Sequence, residues 1–305
     1  MRIGLPGLGS TTDRIIRQAE EAEADRFSSL WYASAVGGDP VTAMALAGRA
    51  TTTIELGTAI LQTYACHPVL QATRAIAAAA AIGQPGRFTL GVGPSHDVVI
   101  DGMLGLSYEH PGRHTAEYVE VLASLLRGER VSFAGDEFRV RAGPVPGAEE
   151  AAVQLLVAAL APRLLQVAGT HAAGTILWMA NARAVGEHVA PRINRAATEA
   201  GRPAPRIVAG LPVAVHDDVD DARSVAAEMF AAYGSLPNYA RLLERGGVSS
   251  PAEAAIVGDE ASVTAQISAL FDAGATDVWA APFPVGADRS ASRSRTRALL
   301  EQLVG

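Results

Sequence analysis

Short apolar runs alternate with longer stretches of helical periodicity from one end of the chain to the other. In Gly86-Arg87-Phe88-Thr89-Leu90-Gly91-Val92-Gly93 the large residues Phe88, Leu90 and Val92 alternate with small ones, as in a buried strand, and the run ends in a turn carrying Pro94, Ser95 and His96. Similar runs predict strands over 2–8, 29–33, 54–60, 88–93, 153–158, 174–179, 207–214 and 277–281. Between them, Thr12 and Asp13 offer a cap to a helix with Ile15, Ile16, Ala19 and Ala22 on one face. Val69, Leu70, Thr73, Ile76, Ala77 and Ala80 form a second stripe, and Tyr118, Val119, Leu122, Leu125 and Leu126 a third. Both are expected to pack on the strands. Val263, Ile267, Leu270 and Phe271 stop at Gly274, a helix terminator, and a last helix is expected over 290–303. Eight strand–helix repeats favour a closed α/β architecture, a (β/α)8 TIM barrel, over an open sheet.

Two connections are too long for a plain helix. The first, after the fourth strand, holds a candidate hairpin, Val131-Ser132-Phe133 with Phe138-Arg139-Val140, turning at Gly135-Asp136. The second, over 235–258 after the seventh strand, is long enough to cover a barrel mouth.

Composition narrows the chemistry. The 305 residues are 49% hydrophobic, enough for one large core, so a single domain over 1–305 is expected. A net charge of −7 argues against a surface that tracks nucleic-acid phosphates. All 25 basic residues are arginine, which excludes Schiff-base lysines, pyridoxal phosphate anchoring and a phosphate-loop lysine. Cys66 is the only cysteine, so an intramolecular disulfide and a cysteine metal cluster are excluded too. With neither a basic leader before an apolar run nor about eighteen consecutive apolar residues, the chain is expected to be cytoplasmic, with no membrane partner.

In such barrels the chemistry lies at the C-terminal ends of the strands. Here those ends comprise Pro6 and Gly7, Ser34, 59–62, 94–96, Ala159 and Leu160, 178–181, and Pro282 with Phe283. They lack the paired acids of a glycosidase, a metal-binding cluster and a nucleophile elbow. They suit a broad aromatic group such as a flavin or deazaflavin, which brings its own redox chemistry. A dinucleotide fold suggested by Gly91-Val92-Gly93 fails, because His96 takes the third glycine position and Pro94 stiffens the turn.

The run Gly86 to Gly93, preceded by His67-Pro68-Val69, resembles the luciferase-like monooxygenase superfamily. So do Phe133-Ala134-Gly135-Asp136-Glu137-Phe138 and the stretch from Ala168 to Ile176, in the family's order. Gly93-Pro94-Ser95-His96 with Arg113-His114-Thr115-Ala116-Glu117-Tyr118 is similar to the actinobacterial branch that uses coenzyme F420. The resemblance implies an F420-dependent oxidoreductase acting on a small-molecule substrate, and often a homodimer. It places the deazaflavin across the strand ends, with its phosphate near the turn Ala158-Ala159-Leu160-Ala161-Pro162-Arg163. Pro162 can open a helix there, whose free amides attract anions. It also implies a bulge at Thr58-Ala59-Ile60-Leu61, with a cis peptide expected at Ala59-Ile60. Cofactor contacts are thus expected from Thr58, Ala59, Ile60, Leu61, Pro94, Ser95, Ala158, Ala159, Leu160, Trp178 and Met179.

Relatives that oxidise sugar phosphates or alcohols carry an Asp-His pair where this chain has Ser34 and Ala35, and an acid where it has His96. Both departures, and the missing acid near Ala173, argue against that kind of alcohol oxidation. His96 is either a catalytic proton donor or a structural hydrogen bond in its loop, and Trp178 either lines the ligand cavity or belongs to the core. Arg113 and Glu117 are spaced for an i,i+4 ion pair, His114 could reach inward, and His67 and Cys66 fit capping or packing. His171 and His188 are expected on helices, without a functional role. Two other readings stand beside the first: an FMN-dependent monooxygenase fed by a separate reductase, and a noncatalytic cofactor-binding homologue.

Overall fold

The structure is a computed structural model that describes residues 1–9, 11–33 and 39–304. Eight parallel strands close into a barrel: β1 (Ile3–Pro6), β2 (Ser29–Tyr32), β3 (Glu55–Thr58), β4 (Phe88–Gly93), β5 (Gln154–Val157), β6 (Gly174–Trp178), β7 (Arg206–Val215) and β8 (Asp277–Pro282). Each pairs with the next, and β8 closes the ring by pairing with both β7 and β1, where Gly4 stands opposite Trp279. All eight lie where the apolar runs placed them, to within one or two residues at each end. Two short strands had no sequence signal of their own. Leu61–Gln62 adds to β4 just past the Ala59–Ile60 peptide, which is cis, and Ile256–Gly258 adds to the overhanging end of β7.

Helices surround the strands. The first (Thr12–Ala24) is capped one residue earlier than expected, by the Thr11 hydroxyl accepting from the Arg14 amide. It buries Ile15, Ala19 and Ala22 as its stripe predicts. Helix Pro68–Ile82 corrects the sequence reading: Leu70, Thr73, Ala77 and Ala80 face solvent, while Gln71, Ala72, Ala75, Ile76, Ala78, Ala79 and Ile82 are buried. An alanine run carries almost no periodic signal, so neighbours choose its face. Ile82 packs so close to Gly48 of helix Pro40–Ala50 that a Cβ there would meet it at 2.4 Å.

The barrel's two ends differ in chemistry. At the N-terminal end Arg206 reaches Glu55 at 2.8 Å and Asp277 at 2.7 Å, Arg2 reaches both acids at 2.8 Å, and the Thr89 hydroxyl bonds Glu55. Above this plug the lumen is filled by Trp31, Leu156, Ile176, Val208 and Trp279, and Ala59, Ile60, Trp178 and Ala281 pack on it from the C-terminal side. The first long connection forms the expected antiparallel hairpin, Val131–Ala134 with Arg139–Ala142. The second forms helices Pro237–Arg245 and Pro251–Ala254 before Ile256–Gly258. No helix is long and apolar enough to cross a membrane, among the described residues.

Candidate active site at the barrel mouth

The strand ends sort the expected contacts into two groups. Ala59, Ile60, Pro94, Ser95, His96, Ala158, Leu160 and Trp178 are partly exposed, whereas Thr58, Leu61, Ala159 and Met179 are buried. The buried four present little side-chain surface to the mouth. Thr58 spends its hydroxyl within the barrel, donating to the Gly91 carbonyl at 2.7 Å and accepting from the Gly91 amide at 2.8 Å. Leu61 and Ala159 belong to the main core, and Met179 turns inward at φ 63°. Strand alternation sends neighbours to opposite faces, so a contiguous stretch cannot all face one ligand. Ser34 and Ala35 lie outside the described residues.

Gly93 makes the closest convergence. A Cβ there would lie 2.8 Å from the Ala158 methyl and 3.4 Å from the Ile60 side chain, so β4, β5 and the Ala59–Ile60 bulge pack together at a point that has room only for glycine. Next to it, Ser95 sits at φ 63°, and the Tyr108 hydroxyl donates to its carbonyl at 2.8 Å. Burial pushes the Tyr108 phenol up to about 12, so it stays a donor. Tyr64 packs beside Tyr108 and stacks on His114 at 3.8 Å; His114 is thus turned inward, and burial holds its imidazole below the ordinary value.

His96 is half-buried, and burial alone lowers its pKa, so the ring is neutral at pH 7. Its neighbour is Tyr239, from the second insertion, at 5.8 Å between ring centres. Trp178 stacks on Trp279 at 4.8 Å. Tyr233 and Tyr239 were missed by sequence reasoning, because nothing local shows which loop aromatics fold back over the strands.

The turn after β5 opens helix Pro162–His171, with Pro162 in its first turn and no side chain capping its amides. Arg163 beside it is exposed. His188, in a π-helical turn Ala184–Val189, is on a helix as expected, yet it is not idle. Its Nε2 lies 2.8 Å from the Leu160 carbonyl in this turn, and one Arg245 guanidinium nitrogen lies 2.6 Å from the same Nε2 and 3.2 Å from Nδ1. Burial, with Arg245 and Arg192 nearby, lowers its pKa. The shorter Arg245 contact falls on Nε2 itself, so the Leu160 carbonyl and the Arg245 guanidinium compete for that nitrogen and the ring's tautomer decides between them.

The expected ion pair does not form. Arg113 instead reaches Glu137 at 2.7 Å and Asp136 at 3.2 Å, while Glu117 accepts from the amides of Asp136, Glu137 and Phe138. The tight hairpin turn leaves three amides without strand partners, and a carboxylate in reach satisfies them. An open hollow between this helix and the hairpin, lined by Glu117, Phe133, Asp136 and Arg139, is separate from the strand ends. His67 caps its helix as expected, its Nδ1 accepting from the Val69 amide. No group of three or more potential metal ligands occurs among the described residues.

The luciferase-like monooxygenase family model matches residues 4–277. An F420-dependent hydroxymycolic acid dehydrogenase of Mycobacterium tuberculosis (strain ATCC 25618 / H37Rv) is 29% identical over 286 residues, covering 87% of this chain and 78% of the relative. Among solved structures, the coenzyme F420-dependent tetrahydromethanopterin reductase of Methanopyrus kandleri superposes with a TM-score of 0.76 at 22% identity, over 99% of this chain and 97% of its own. The oxygenating constituent of 3,6-diketocamphane monooxygenase from Pseudomonas putida, in complex with FMN, superposes at 0.73 and 17% identity, over 100% and 98%. The closed barrel and a family match running through seven of its strands and into the eighth agree: the chain belongs to the luciferase-like monooxygenase family.

Proposed function

We propose that this chain is an oxidoreductase that uses coenzyme F420 to transfer a hydride to or from a small organic substrate. The observation that carries the reading is the group of partly exposed apolar residues at the strand ends, Ala59, Ile60, Pro94 and Ala158, gathered where Gly93 lets β4, β5 and the bulge pack closely, in a chain related to an F420-dependent dehydrogenase. The residues present fit a deazaflavin. Ala59, Ile60, Pro94, Ser95, Ala158 and Leu160 would hold its ring system, and the uncapped amides after Ala161, with Arg163 near, suit its phosphate. The bound group supplies two-electron hydride chemistry. The protein orients, excludes water and manages the proton. His96, neutral because burial disfavours its charged form, can take a proton from a substrate hydroxyl or hold a water that carries one.

The second reading, an FMN-dependent monooxygenase, is favoured by the family's name and by the FMN-bound fold neighbour. Absorbance titrations with each cofactor separate the two. Binding of F420 in the micromolar range is expected; micromolar binding of FMN with none of F420 overturns the proposal.

A further inference from the structure

Two phenols, one just before the second insertion and one within it, lie over the strand ends. Tyr233 lies in helix Ala231–Gly234 and Tyr239 in helix Pro237–Arg245. Tyr239 is 5.8 Å from His96 and 5.1 Å from Tyr233; Tyr233 is 6.0 Å from Trp178, and Phe230 is 6.1 Å from it on another side. With Trp178 stacked on Trp279, the rings form one chain from the end of β4, across the insertion, to the end of β6 and the lumen side of β8. Most contacts in it are tilted or edge-on at spacings typical of aromatic pairs.

The collar is uncharged. Burial keeps the His96 imidazole neutral and both phenols protonated. Among the described residues the buried Trp178 Nε1 lies near the Tyr233 hydroxyl but makes no well-formed hydrogen bond with it. Such donors in native proteins usually have an acceptor, from protein, water or ligand. These groups supply ring edges, ring faces and one N–H, but no counter-charge for a carboxylate or phosphate, and burying an unpaired anion among them is costly.

We infer that the substrate side of the mouth recognises an uncharged, fused-ring aromatic compound with a polar oxygen, held by Tyr239, Tyr233, Trp178 and His96. Calling that compound the substrate rests on the oxidoreductase reading; recognition of the ring does not. Calorimetric titration of the full chain, with and without cofactor, compares 2-naphthol with its carboxylate analogue 2-naphthoate and its saturated analogue 2-decalol. The naphthol is expected to bind about ten-fold more tightly than either. Tyr239→Leu and Tyr233→Leu, with native circular dichroism, are each expected to weaken naphthol about three- to ten-fold and leave decalol unchanged. Equal or tighter binding of naphthoate or decalol, no binding of naphthol, or full naphthol affinity in both variants overturns the inference. The cofactor-free titrations read ring recognition directly, so this inference and the F420 assignment can fail separately.

Discussion

Two tryptophans occupy the barrel lumen because the residues facing them carry no side chain. A Cβ on Gly57 would lie 2.2 Å from the Trp31 ring, and one on Gly210 would lie 2.0 Å from Trp279 Nε1. Gly210→Ala is therefore expected to cost about 1–3 kcal/mol by overpacking, read as a lower urea midpoint at unchanged m-value; a midpoint equal to wild type would show that the ring moves aside freely. In the sequence these glycines only weaken a strand pattern, since the ring each one accommodates comes from a distant segment. His96 is a second case. Its place at a strand end was legible, but the lowered pKa arises from packing. If His96 is the proton acceptor, His96→Gln should lower turnover by about a hundred-fold and remove the loss of rate below pH 6.5 that imidazole protonation causes; a retained acid limb assigns it to another group.

At the scale of elements, side chains tie the two insertions to the barrel. Glu117 holds the hairpin turn through three amides, and its replacement by alanine is expected to cost about 1.5–3 kcal/mol and to raise hydrogen exchange at residues 136–138 above all others. The second insertion is fastened by Asn181 Nδ2 donating to the Gly246 carbonyl at 3.0 Å, by Arg223 donating to the Ala252 and Ala255 carbonyls, and by His188 between Arg245 and Leu160. His188→Ala should loosen helix Pro237–Arg245 and the turn after β5 together, seen as coupled gains in hydrogen exchange; protection lost in only one of them would separate the two. These ties explain where sequence reasoning went astray. An i,i+4 spacing offers Arg113 a partner in Glu117, but the hairpin, brought in from some twenty residues away, offers both residues better ones. The face of helix Pro68–Ile82 was hidden for a related reason: alanine fits either side, and the decision rests with its neighbours.

For the whole molecule, the governing feature is the separation of charge from the reaction end. The plug around Arg206 closes the bottom of the barrel, and the mouth is left to neutral rings. Removing one partner of a buried ion network strands the others, so Arg206→Ala is expected to cost about 3–5 kcal/mol, checked by denaturation. Burial pushes the Asp277 carboxyl up, but Arg206, Thr276 and Arg2 outweigh it and hold it below 3.8, so its stabilisation is present above that value and lost as acid protonates it. The imidazoles act at higher pH. His96, His114, His171 and His188 are all lowered from 6.5 by burial, so the unfolded chain binds more protons below that value. Stability should be flat above pH 7 and fall as pH drops from about 6.5 toward 5, with a shallower fall in His114→Gln. Eight alternating units, the hairpin, the cis Ala59–Ile60 peptide and the glycine-flanked tip of β4 could all be read along the chain. The cis peptide follows from family resemblance, and the other three from local periodicity, glycine placement and turn chemistry. The close packing at Gly93, the tryptophan–glycine pairs, the aromatic collar and the partners of Arg113 and His188 could not, because each joins residues from separate segments, and barrel closure alone sets which of them meet.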